Sequence, residues 1–137
     1  MNIVVRSCIA LCGLALVSCT GTTEYNRSSE AQQELDKALA GRVAGKSVTC
    51  IPNYRATDMQ IIDDYTILFK DGRTVYLQTP RGGCSGIENH SNILVTQLRG
   101  TTQLCRGDIN HLVDPSTGIG GGACVFSEFV PYSREGG

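Results

Sequence analysis

One histidine between two aspartates is the feature of this chain closest to a catalytic pair. His111 lies three residues after Asp108 and three residues before Asp114. A His–Asp pair can take up and return a proton, which is the chemistry of a small hydrolase or lyase. However, no serine occupies a nucleophile-elbow pattern, and a histidine beside Leu112 and Val113 is typical of a half-buried or edge strand position. We therefore expect no catalytic residues, with the His111–Asp108 pair as the alternative.

Two adjacent aspartates, Asp63 and Asp64, are the other candidates for acid–base or metal chemistry. Neighbouring residues of a strand point to opposite faces, so both carboxylates reach one ligand only if the backbone turns between them. The pair therefore indicates a polar entry to a strand. The sequence predicts neither a metal site nor a cofactor.

The cysteines favour structural bridges over metal or redox chemistry. Seven are present, three of them before residue 20, and the others are Cys50, Cys84, Cys105 and Cys124. Their gaps of 33, 20 and 18 residues contain no Cys-x-x-Cys pair, which argues against zinc-ribbon and thioredoxin-type sites. Four cysteines in an oxidising compartment predict two disulfides. Three pairings are open, and loop length alone favours Cys50–Cys84 with Cys105–Cys124.

The N-terminal residues have the pattern of a secretory signal. Arg6 precedes an apolar run at residues 8–17, which is too short to span a bilayer about 30 Å thick as a helix. The run ends in Leu16-Val17-Ser18-Cys19, which resembles the lipobox of bacterial lipoproteins. The resemblance implies removal of residues 1–18 and a lipid on Cys19, and Thr20 implies sorting to the outer membrane, facing the periplasm. Plain secretion with an accidental cysteine is the alternative.

Length and charge limit the mature chain to one domain and exclude one class of partner. Removal of residues 1–18 leaves 119 residues, enough for one small domain. Loss of Arg6 leaves 11 basic against 13 acidic residues, a net charge of −2. Nucleic-acid-binding proteins carry a basic excess, so we expect no such partner. We expect a lipidated tether at residues 19–28 and a β-rich domain at residues 29–137.

One helix and several strands must position these residues. Ser29 is a candidate N-cap, and the spacing of apolar residues from Ala31 to Leu39 predicts an amphipathic helix over residues 29–41, ended by Gly41. Apolar runs between turn residues predict a β core over about residues 46–131. The runs lie at residues 47–51, 65–69, 74–78, 93–95, 103–105, 109–113 and 123–130. Together they predict a mainly β fold, a small disulfide-stapled barrel or sandwich of about six or seven short strands.

The best-defined element is a β-hairpin around Asp71-Gly72. This dipeptide supplies the positive φ angles of a type I′ turn. In the resulting register Leu68 faces Val75 on one side of the ribbon, while Ile67 meets Tyr76 on the other. Both sides are partly apolar, so the ribbon needs cover above and below.

The segment Leu104-Cys105-Arg106-Gly107-Asp108, together with the other three cysteines, carries a family resemblance. It resembles an uncharacterised family of small proteobacterial secreted proteins and lipoproteins with four cysteines and a Leu-Cys-x-Gly-Asp signature. The resemblance covers roughly residues 41–131. No activity is attached to that family, so the resemblance implies an envelope role and no particular chemistry.

These observations favour a non-catalytic binding or structural module over an enzyme. The expected partners are the membrane, through the lipid anchor, and an envelope protein or a glycan. The candidate binding residues are Tyr65, Phe69 and Tyr76, with Ile67 beside them. The alternative is that a second layer or the helix covers this face.

Overall fold

The computed structural model describes residues 25–52, 58–88 and 91–136, so Cys19 and the signal lie outside the described residues. Within these ranges the chain forms one helix and ten strands in three sheets, and no helix is long and apolar enough to cross a membrane. The mainly β fold with one N-terminal helix is confirmed, whereas a barrel or sandwich shape stays a prediction. The elements are α1 (Ser29–Leu39), β1 (Val43–Ala44), β2 (Cys50–Pro52), β3 (Met59–Asp63), β4 (Thr66–Asp71), β5 (Thr74–Gln78), β6 (Ile93–Thr96), β7 (Gln103–Cys105), β8 (Ile109–Val113), β9 (Gly120–Val125) and β10 (Phe129–Ser133).

The helix is capped by Ser28, one residue before the predicted cap. Ser28 has an extended backbone, and its Oγ accepts a hydrogen bond from the Ala31 N–H at 3.2 Å. Ser29 is the first helical residue, so the N-cap prediction was wrong by one position in a pair of serines. At the other end Gly41 adopts a φ of 67°, a left-handed conformation common after helix ends.

The central layer is a five-stranded antiparallel sheet in the order β1-β10-β5-β4-β3. One face carries Leu68 and Val75 and packs against Leu35 of the helix. The opposite face carries Phe69, whose ring meets Phe126 and Phe129 edge-on at centroid distances of 5.8 and 5.9 Å. Residues of the β2–β7 and β6–β8–β9 sheets complete this larger cluster. The central sheet is therefore covered on both faces.

The hairpin register differs by two positions from the prediction. Leu68 pairs with Leu77 instead of Val75, because the two-residue turn is Gly72-Arg73 and not Asp71-Gly72. Gly72 has a φ of 56°, and no described residue other than glycine has a positive φ. A type I′ turn needs a positive φ at both central residues, whereas glycine at the first alone is the pattern of type II′. A shift of two leaves every side chain on its predicted face.

Both disulfides form, but the pairing favoured by loop length was wrong. Cys50 is bonded to Cys105 and Cys84 to Cys124. Cys50 and Cys105 are direct partners in the antiparallel β2–β7 pair, with Cα atoms 4.0 Å apart. Strand pairing therefore decides the connectivity, and loop length does not.

Two segments differ from the prediction, which accounts for much of the larger strand number. Asp63 and Asp64 were predicted to belong to a polar entry to a strand, yet Met59–Asp63 forms a separate edge strand. The run at 123–130 is two strands in different sheets, β9 and β10, with residues 126–128 passing between them. Phe126 lies in this passage and is fully buried, so it adds to the core without belonging to a strand.

Candidate functional site

The predicted His–Asp pair does not come together in the described part of the chain. His111 lies on β8 and is half-buried, while Asn110 and Leu112 beside it point into the core. Asp108 accepts a hydrogen bond from the Cys105 N–H at 2.7 Å, which fastens the turn after that cysteine. Asp114 accepts hydrogen bonds from the N–H and Oγ of Ser116. Among the described residues no hydrogen bond or ion pair links His111 to either aspartate.

The two adjacent aspartates also have separate partners. Asp63 is buried and forms an ion pair with Arg27, and its Oδ1 accepts from the Tyr65 N–H at 2.8 Å. Asp64 accepts from the Gly86 N–H through both oxygens, at 3.1 and 3.2 Å. Within the described ranges no group of three or more His, Cys, Asp or Glu residues is arranged to hold a metal ion.

Tyr25 lies next to this ion pair, where the chain enters the domain. Its ring lies 4.0 Å from the ring of Tyr65, centroid to centroid. Burial raises the pKa of the Tyr25 phenol, and the carboxylates of Asp63 and Glu88 raise it further. Because Arg27 also donates to the Thr66 hydroxyl, the segment before the helix is fastened to the turn between β3 and β4.

The predicted binding residues do not form an open surface. Phe69 is 3% exposed and belongs to the aromatic cluster of the core. Tyr76 is half-buried and packs against the same cluster, and Tyr65 is half-buried against Tyr25. A second layer therefore covers this face, as the alternative interpretation expected.

An open apolar surface lies instead on the outer side of the three-stranded sheet β6–β8–β9. Ile93 is 49% exposed and Val95 is 42% exposed, although both are strand residues in a paired sheet. The polar residue of this surface is His111, which pairs with Val95 on one side and with Ala123 on the other. We call this surface the aliphatic face, and it consists of Ile93, Val95, Ile109, His111, Val113, Ala123 and Val125.

The strand register explains why these residues point away from the core. Direct partners in an antiparallel sheet lie on the same face, and neighbours along a strand lie on opposite faces. Leu112 and Cys124 are buried in the core, so the alternate positions of β8 and β9 must face outward. An antiparallel sheet with one solvated side usually carries polar residues there. The outer side of this sheet is aliphatic instead of polar, and this difference indicates a contact surface.

The free edge of β6 adjoins the aliphatic face. The Gln97 N–H donates to the Ile109 carbonyl, which makes the odd-numbered residues of β6 the hydrogen-bonded pairs with β8. The backbone groups of Leu94 and Thr96 therefore point away from β8, toward an edge that no described strand covers. The strand Ile93–Thr96 contains no charge and no proline, the usual protections of an exposed edge.

Comparison with known protein families, with curated proteins and with solved structures gives no match for this chain. Sequence reasoning missed the aliphatic face because Ile93-Leu94-Val95 is continuously apolar, a pattern typical of a strand buried on both sides. The signal that could have indicated this exposed face was the Gly-rich stretch of β9, because a strand with few side chains covers little of the neighbouring strand.

Proposed function

We propose that this protein is a lipid-anchored module of the bacterial envelope whose aliphatic face binds a partner protein. The observation that carries the proposal is the exposed outer side of β6–β8–β9, where His111 lies among aliphatic side chains. Ile93 and Val95 are already about half buried, so burying the rest of each side chain would contribute about 1 kcal/mol to an association.

A protein fits this surface better than a glycan or a small apolar ligand. Sugar rings are bound by aromatic and polar side chains, and the aliphatic face has no aromatic residue. Small apolar ligands are held in concave pockets, whereas Ile93 and Val95 are more than two-fifths exposed on a sheet surface. A partner that adds a strand to β6 would satisfy the Leu94 and Thr96 backbone groups and cover the face in the same step.

The proposed anchor would keep this surface close to the membrane. Cys19 precedes Tyr25 by six residues, and six extended residues reach at most about 20 Å. The fastening of Arg27 to Asp63 means that little further slack is available after Tyr25. A partner would then be an envelope protein at or near the same membrane.

Site-specific photocrosslinking in living cells tests the proposal. A photoreactive phenylalanine analogue at position 95 is compared with the same analogue at exposed position 70, on the β4–β5 hairpin away from the aliphatic face. We expect one discrete product with another protein from position 95 and none from position 70. Ile93→Lys should abolish the product, because a charge in the interface must be desolvated.

The same cells test the anchor. Labelling with a radioactive fatty acid should mark the wild-type protein and leave Cys19→Ala unmarked. If position 95 gives no discrete crosslinked product, the proposed docking is contradicted. A crosslinked product with twice the mass of this chain would mean that the partner is a second copy of the same protein. A labelled Cys19→Ala variant would contradict the anchor without affecting the docking result.

A further inference from the structure

We propose that a groove beside β5 and β10 binds a carboxylate group carried on a partly apolar molecule. The groove has a volume of about 490 Å³ and adjoins the Val125 end of the aliphatic face, because its Arg81 forms an antiparallel bridge with Val125. It is bounded by four segments that are distant in the chain, around residues 47, 77–81, 106 and 127–130. Its lining residues are Ser47, Leu77, Thr79, Arg81, Arg106, Ser127, Glu128 and Val130.

The positive charge of the groove comes from two arginines. Arg106 forms an exposed ion pair with Glu128 at 3.2 Å, and Glu128 also accepts from the Ser47 hydroxyl at 2.9 Å. Arg81 is exposed, and among the described residues its guanidinium has no hydrogen bond and no ion pair. Two guanidiniums against one carboxylate leave a charge of +1 in a chain whose net charge is −1. This charge matches one carboxylate, which guanidinium groups bind through paired hydrogen bonds.

A buried glutamine positions Ser127, one of the residues that line the groove. The Gln78 side chain is fully buried, and its Oε1 accepts from the Ser127 N–H at 2.9 Å and from the Ser127 Oγ at 2.8 Å. Its Nε2 donates to the Ser127 carbonyl at 3.1 Å. All these amide bonds go to one residue, so Ser127 and the neighbouring Glu128 are held in one position.

The backbone N–H groups of both arginines are hydrogen-bonded close to a disulfide. Arg106 follows Cys105 directly, and its N–H donates to the Thr49 carbonyl at 2.8 Å. The Arg81 N–H donates at 2.9 Å to the carbonyl of Val125, the residue after Cys124. A site on fixed backbone loses little entropy when a ligand binds. The guanidiniums therefore have fixed attachment points even though their side chains are solvated.

An apolar wall completes the groove and selects the rest of the ligand. Leu77 and Val130 are direct cross-strand partners, and both are half-buried. An aliphatic group next to the carboxylate would contact this wall, while the hydroxyls of Ser47 and Thr79 would meet polar atoms. A peptide C-terminus offers both a carboxylate and a side chain on the adjacent carbon, so it is the proposed ligand, and binding of an acidic sugar is a separate outcome of the test.

The test uses amide shifts in ¹⁵N NMR spectra of the full-length protein in detergent micelles. The probes are N-acetylalanine with its amide as the neutral match, and glucuronate with glucose, each added up to about 20 mM, a range that detects millimolar affinity. We expect N-acetylalanine to give saturating shifts at residues 79–81, 106 and 127–130, and its amide to give none. Saturating shifts from glucuronate alone would replace the peptide C-terminus with an acidic sugar, and glucose should produce no shifts.

Variants distinguish recognition of the carboxylate charge from nonspecific binding. Arg81→Ala should weaken acid binding by about tenfold or more, as loss of a charge-assisted contact does. Arg73→Ala, which removes an exposed arginine outside the groove, should leave binding unchanged. Glu128→Gln should strengthen it, because the competing carboxylate is gone. No saturation with N-acetylalanine, equal binding of its amide, full binding in Arg81→Ala or weaker binding in Glu128→Gln would each overturn the proposal.

Discussion

Three aspartates in the described part of the chain accept hydrogen bonds from backbone N–H groups. Asp108 fastens the Cys105 N–H, Asp63 the Tyr65 N–H, and Asp64 the Gly86 N–H. The bonds to Asp108 and Asp63 are local and shape turns, while the bond to Asp64 joins residues 22 positions apart. The same types of residue that suggested acid–base chemistry in the sequence therefore serve the fold.

Asp114 makes this local role measurable as a pH dependence. The Ser116 hydroxyl and N–H, and then the Thr117 N–H, lower the pKa of Asp114 below its ordinary value. A carboxyl whose pKa is lower in the folded state stabilises the fold above the unfolded pKa, near 4, and this contribution is lost as the pH falls through the lowered value. We expect the amide signals of Ser116 and Thr117 to titrate with a midpoint below that of a free aspartate.

The matched control for this titration is Asp114→Asn, which keeps the size of the side chain and removes its charge. The two amide signals should then show no acid transition in NMR spectra. A midpoint at or above the ordinary aspartate value in the wild-type protein would mean that the hydrogen bonds to Asp114 do not favour its charged form.

At the scale of elements, the hairpin turn depends on one glycine. Gly72 occupies the first central position with a φ of 56°, and a Cβ there would meet no atom within 4 Å. Gly72→Ala therefore tests backbone conformation without steric contact. We expect a loss of about 1–2 kcal/mol in the free energy of unfolding, measured with chemical denaturant.

Arg73→Ala is the control for the turn, because the second central residue has no positive φ. It should change the free energy of unfolding by less than about 0.5 kcal/mol, as exposed substitutions usually do. Equal losses from both variants would mean that the stability of the turn does not depend on the conformation of Gly72.

Much of the element level was predictable from local signals. The bounds of β7 and β8 match the predicted runs, and the apolar spacing placed the helix to within two residues at its end. The hairpin faces were also right, because a period of two survives a register shift of two. The predicted turn type was wrong, because the sequence Asp-Gly is compatible with two arrangements. Both residues can form the centre of the turn, or the aspartate can end the strand and the glycine can begin the turn.

The candidate surfaces were harder to predict than the elements. Phe69 and Ile93 are both apolar strand residues, yet one is 3% exposed and the other 49%. Which face is covered depends on how separate sheets stack, and no local pattern in the chain encodes that. The groove around Arg81 joins four distant segments, so it exists only once the sheets are assembled.

For the whole molecule, the two disulfides differ in what they connect. Cys50–Cys105 links strands that already pair with each other, whereas Cys84–Cys124 links the loop after β5 to β9 in another sheet. Closing loops of 55 and 40 residues predicts about 4 kcal/mol of stabilisation for each bridge. Cys84 and Cys124 are also buried in the core, while Cys50 and Cys105 are half-buried.

Replacement of each pair by alanine should therefore have unequal effects. Loop length alone predicts a slightly larger loss in the free energy of unfolding for the double variant Cys50→Ala, Cys105→Ala. We expect the opposite order. The double variant Cys84→Ala, Cys124→Ala should lose more of the free energy of unfolding, by about 1 kcal/mol or more, because it also creates cavities in the core. Denaturant unfolding of both double variants checks the order, and the reverse order would assign the stabilisation to loop closure alone.

The position of β10 in the central sheet determines when this domain can fold. It is the last strand in chain order, yet it lies between β1 and β5 and pairs with both. During synthesis, β5 therefore remains without its second neighbour, and the aromatic core without Phe129, until residues 129–133 are available. Contacts between such distant parts of a chain form slowly. A nascent chain that ends before β10 should thus remain incompletely folded and sensitive to proteases, so this domain folds only after residues 129–133 have been made.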